Sequence, residues 1–155
     1  MIELEKELES AARVAIRTSI NEAAATVPEL ANCIIIGYWL GDEDGGPADD
    51  ASGLRVMLMA QPSSSSGYNQ TTGFEPLRSI ALDVACVSQP DNDGDKRIMR
   101  ALYNATRGAF EAAPTALVMP TGVSFGGMLI ANGGAADMDD IGQITSFTVE
   151  LKVSL

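Results

Sequence analysis

From Phe147 to Leu155 apolar and polar residues alternate without a break, with Phe147, Val149, Leu151, Val153 and Leu155 set against Thr148, Glu150, Lys152 and Ser154. A strict period of two belongs to a strand with one buried and one wet face. The chain must therefore build a sheet and cover one side of it. A cover is legible upstream, where residues 95–112 take the helical period. Ile98, Leu102, Ala105 and Ala109 form one side of that segment, and Arg97, Arg100, Asn104, Arg107 and Glu111 the other. Asp91, Asp93 and Asp95 supply cap and first-turn acids before it, and Pro114 closes it.

A second helix is predicted over residues 2–25. Leu4, Leu8, Ala11 and Ala15 lay an apolar stripe, while Glu9, Arg13 and Arg17 recur at i, i+4 on the opposite, polar side. Pro28 cannot continue this helix, which should stop by Val27. Three strands follow. Residues 33–40 (CIIIGYWL) read as a buried strand carrying Tyr38 and Trp39 as core or sheet-face aromatics. Residues 54–60 turn Leu54, Val56 and Leu58 to one face and Arg55, Met57 and Met59 to the other; residues 76–88 set Ile80, Leu82, Val84 and Cys86 opposite Asp83. Two more strands, 122–131 and 143–155, come after the second helix. Strands in consecutive runs favour an α+β fold over residues 1–155 as one domain. It would hold a mainly antiparallel sheet of about five strands, with the N-terminal helix and the 95–112 helix packed on one face.

Charge and composition narrow the function. Ten Lys and Arg stand against 21 Asp and Glu, a net charge of −11, which gives no drive toward phosphates or anionic lipid. Histidine is absent, and with it the commonest general base and metal ligand. No catalytic residue, cofactor or metal is expected. Residues Ile2–Ser10 alternate Glu with apolar residues and lack the basic and apolar regions of a secretory signal, so none is expected there. Nor does any apolar run reach the length of a membrane span. Cys33 and Cys86 both lie in apolar runs and read as small buried hydrophobes.

Three long connections are predicted, at 41–53, 61–73 and 132–142, a length that usually marks function or disorder. The first carries Asp42, Glu43, Asp44, Asp49 and Asp50, and the third Asp137, Asp139 and Asp140. With the turn at 91–95 these hold eleven of the 21 acids and no Lys or Arg, so the negative charge sits in loops. Such loops are either solvated surface or the rim of an assembly. The connection at 61–73, with Ser65 and Tyr68, runs on to Phe74; these residues are candidate interface anchors.

Enzyme motifs fail on their partners. Gly122-Val123-Ser124-Phe125-Gly126 spells a nucleophile elbow, but no histidine exists to serve as its base and the residues after it read as a strand. Asp91, Asp93 and Asp95 begin like a calcium loop, yet Lys96 and Leu102 stand where Gly and Glu are needed. No phosphate-binding loop occurs, since Gly-Lys is absent.

The order of elements carries a likeness. The N-terminal helix LEKELESAARVAI, the run SIALDVACVSQPDNDGDKRIMRALYNATRGAF and the terminal GVSFGGMLIANGGAADMDDIGQITSFTVELKVSL together resemble the tail terminator (tail completion) proteins of long-tailed bacteriophages. That resemblance implies a virion protein assembled in the host cytoplasm and placed at the tail–neck junction. It would form a hexameric ring on the last ring of tail tube protein, stop tube growth and present a surface to the head-side connector. Family members are not enzymes. DNA would pass through the ring without specific binding, and an acidic lining from 42–50 or 137–140 would repel phosphate. Two other readings stay open: a head-to-tail adaptor, and a small-molecule-binding α+β domain.

Overall fold

The computed structural model describes residues 4–42, 54–62, 78–88, 97–111, 117–138 and 142–154. Two helices, α1 (Leu4–Ala23) and α2 (Arg97–Glu111), lie on one face of a six-stranded sheet. Its strands are β1 (Ile34–Gly37), β2 (Gly41–Asp42), β3 (Arg55–Pro62), β4 (Arg78–Ser88), β5 (Ser124–Met138) and β6 (Gly142–Ser154), in the spatial order β2-β1-β3-β4-β6-β5. Every neighbouring pair is antiparallel except β1 with β3. The expected α+β architecture is thus observed, with the two-residue β2 as a sixth strand.

The core forms where the two periodicities meet. Leu8, Ala12, Ile16 and Ile20 of α1 and Leu102, Ala109 and Phe110 of α2 face Val56, Leu58, Leu82, Val84, Phe147, Val149 and Leu151 of the sheet, all buried. Phe147 takes the edges of Tyr103 and Phe110, with centroids 5.6 and 5.9 Å away. The Ser19 hydroxyl donates to the Ala105 carbonyl at 2.6 Å and ties the helices together. Cys33 and Cys86 are free and buried, as expected. Burial pushes the Cys86 thiol up to about 12 against the opposing pull of a Thr106 hydrogen bond.

Three sequence expectations are corrected. The strand expected over 33–40 ends at Gly37, and Tyr38–Leu40 form a turn, because their amide hydrogens bond to a carboxylate of α1. Tyr38 and Trp39 are therefore turn residues, 66% and 48% exposed. The connection expected over 132–142 is strand through Met138 and again from Gly142, with a bulge between Asn132 and Gly134. Its glycines are weak strand formers, but the β6 ladder supplies partners that local propensity does not report. Glu9, assigned to the polar side of α1, is fully buried.

Candidate functional site

Glu9, Arg13 and Arg17 share one stripe of α1, and that stripe grips the β1–β2 hairpin. The Glu9 carboxylate accepts the backbone N–H groups of Tyr38 at 3.0 Å, Trp39 at 2.8 Å and Leu40 at 3.0 Å. Arg13 Nη1 donates to the Gly41 carbonyl and Arg17 Nη2 to the Cys33 carbonyl, each at 2.9 Å. One helix face thereby holds the hairpin at its entry, its turn and its exit. Two glycines make the fit possible. A Cβ at Gly37 would lie 2.9 Å from Glu9 Cδ, and Gly41 takes φ 73°, which side-chain-bearing residues rarely adopt. The turn presents Tyr38 and Trp39 as a T-shaped pair with centroids 4.9 Å apart, and the indole N–H donates to the Ala60 carbonyl at 2.6 Å.

Beside this pair lies the sheet face that the helices leave bare. A groove of about 440 Å³ runs over β1, β3, β4 and β6, lined by Ile36, Tyr38, Met57, Met59, Asp83 and Thr148 among others. Asp83 is the one charged side chain of that lining. Its register neighbours are Met59 on β3 and Thr148 on β6. Gln61 Nε2 donates to Oδ2 at 2.6 Å and the Thr148 hydroxyl to Oδ1 at 3.0 Å, which fixes the plane of the carboxylate. Further along the face the Ser79 hydroxyl donates to Glu150 at 2.8 Å.

A second surface is the outer edge of β5. That strand has β6 on one side and, among the described residues, no strand on the other. From Ser124 through Ala136 it reads SFGGMLIANGGAA, with no charged residue, and Leu129 is 65% exposed. Edges of this length are ordinarily guarded by Lys, Pro or inward charges.

The acidic stretches share one end of the sheet. Leu54, Ser88, Met138 and Gly142, from which residues 43–53, 89–96 and 139–141 lead away, all lie where Arg55 pairs Val87, Ser88 pairs Gln143 and Met138 pairs Gly142. Pro62 and Arg78, which bound residues 63–77, lie at the opposite end.

Of the residues singled out from sequence, Asp42 pairs with Ile36 on the first strand of the sheet and Asp137 with Gln143 on the last. The fold thus sets these two acids on opposite edges and does not bring them together within one subunit. Glu43, Asp44, Asp49, Asp50, Asp139, Asp140, Ser65, Tyr68 and Phe74 lie outside the described residues. Sequence reasoning missed Glu9 as a buried clamp, although its spacing to Arg13 and Arg17 is visible in the chain. It placed Asp83 opposite the apolar row, where the structure has it, without seeing the groove around it. Ser124 opens β5 as a strand residue paired with Ser154. Among the described residues no cluster of three or more metal-ligating side chains occurs, and no helix is long and apolar enough to cross a membrane.

Neither the protein-family models nor the curated proteins compared with this chain give a match.

Proposed function

We propose that this chain is a structural subunit of a phage virion: a tail terminator that forms a six-membered ring at the tail–neck junction. The ring caps the tail tube, stops its polymerisation and offers the joining surface to the head-side connector. The observation that supports this reading best is the outer edge of the 15-residue strand β5, without a partner strand among the described residues and uncharged from Ser124 through Ala136, on a sheet whose two helices lie on one face. A cyclic assembly needs two different complementary patches on each subunit. The β5 edge and the opposite, β2-bearing side of the sheet are two such surfaces. In a ring the two sides meet between neighbours, which brings the Asp42 side of one copy toward the Asp137 side of the next. The acid-bearing stretches leave from one end of the sheet, in keeping with an annulus of negative charge along a DNA path.

The test is assembly. Purified protein is measured by native mass and negative-stain imaging, alone and with growing tail tubes. Six-fold rings that sit on tube ends and halt elongation are the expected outcome. Protein that leaves tube length unchanged and binds no tube end overturns the proposal; rings that bind the head-side connector alone make the chain a head-to-tail adaptor.

A further inference from the structure

The sheet face away from the helices, over which no described helix or strand packs, carries a feature that ring formation does not explain: a single carboxylate, Asp83, in a groove whose other lining residues are uncharged. Met59 lies beside it on β3, with Met57 and then Ile36 further along the same side, and Met57 is 42% exposed. An ionised carboxylate accepts hydrogen bonds at about four lone-pair sites. Gln61 and Thr148 supply one donor to each oxygen, and both stand on the strands flanking β4, within the sheet. Capacity remains on the side facing out of the groove. Any partner that covers this face with purely apolar groups would strip water from the carboxylate without replacing it, at considerable cost. A partner that brings a cation to it, with an apolar group beside that cation, meets both demands.

The geometry points to this groove as the docking site for an extended segment of a partner protein that sets one Lys or Arg on Asp83 and an apolar side chain on the methionines beside it. In an extended segment residues two positions apart face the same way. In a segment that crosses the strands, a basic residue over Asp83 therefore places one second neighbour over Met59, Met57 and Ile36. Thioether side chains adapt to different apolar shapes, which suits such a floor. A partner of opposite charge is also steered toward a chain of net charge −11. The floor is four strands wide and open on one side, whereas small-ligand pockets bury most of their occupant, so a partner with its own protein surface is favoured over a small molecule. The inference does not depend on the ring.

The experiment selects binders from a displayed library of random dodecapeptides, in parallel on the native protein and on Asp83→Asn, a substitution that keeps the side chain's size and its acceptor for the Thr148 hydroxyl. Methyl-labelled methionine spectra then locate the selected peptides. The expected consensus is Lys or Arg with an apolar residue two positions to one side of it. Its peptides shift the Met57 and Met59 methyl signals and lose roughly tenfold or more of their affinity for Asp83→Asn. Four results overturn the inference: no enriched sequence; a consensus without a basic residue; equal affinity for the two proteins; or displacement of the peptides by benzylamine at comparable concentration, which makes the groove a small-amine site. Methyl shifts that grow with protein concentration alone and vanish in Asp83→Asn assign the groove to a second copy and overturn it as well.

Discussion

The Glu9 carboxylate of the first helix accepts the backbone N–H of Trp39 at 2.8 Å, across thirty positions of sequence. It takes the amide of Leu40 as well and shares that of Tyr38 with the Leu58 carbonyl, so one side chain replaces the ladder partners that a continuing strand would have given Trp39 and Leu40. The exposed Tyr38–Trp39 pair therefore owes its position to α1.

Removing that carboxylate leaves amide donors without partners. Glu9→Ala should lower stability by about 2–4 kcal/mol, and Glu9→Gln, which keeps a neutral acceptor, by about 1–2 kcal/mol. Urea unfolding followed by circular dichroism measures both. Trp39 emission should shift to the red in the alanine variant as the indole loses its place against Ala60. Equal stability of all three proteins would show that the clamp contributes nothing.

Gly37 is required by the same carboxylate. A Cβ there would crowd Glu9, so Gly37→Ala should cost about 1–3 kcal/mol. In the Glu9→Ala background the same substitution should cost far less, because the crowding partner is gone. A double-mutant cycle reads the coupling, and additive effects would refute the contact.

Cys86 should be inert in the folded protein. Its thiol pKa is raised by burial from 9.0 to about 12, so at mildly alkaline pH the native thiolate is scarce, and alkylation by iodoacetamide should proceed only through unfolding. The sign of the linked stability follows. Below about pH 9 both states hold the proton; above it the unfolded chain releases a proton the native chain keeps, so stability declines through the window up to about pH 12. Cys86→Ala should flatten that part of the alkaline decline, as pH-dependent unfolding would show.

Leu129 tests the edge of β5. As an exposed residue on an edge strand it can become Lys at a cost within about 0.5 kcal/mol, yet a charge there should guard the edge against strand pairing. The proposed ring should be lost in Leu129→Lys while the monomer's thermal unfolding is nearly unchanged. Rings that persist in native mass spectra would move the subunit contact elsewhere.

The acidic end of the sheet has its own test. With Asp42, Glu43 and Asp44 all changed to Lys, a lining that repelled phosphate would bind it instead. DNA ejection should slow while tails keep their normal length. Unchanged ejection kinetics would remove these acids from the DNA path.

Alternation and helical spacing were enough to place both helices, the faces of β3, β4 and β6, and Asp83 opposite the apolar row, because burial on one side imposes a period that survives in the residue types. The same local signals misread Glu9, since a charged residue at i, i+4 from an arginine looks alike whether its partner is water or the backbone amides of a distant turn. They also ended β5 too early. A run such as Asn132–Gly134 has little strand preference of its own, and only the ladder to β6 holds it extended. Strand order, the place of β5 as the edge strand among the described residues and the setting of Asp42 and Asp137 on opposite edges were decided by tertiary structure alone, because hydrogen bonds between distant strands leave no period in either one.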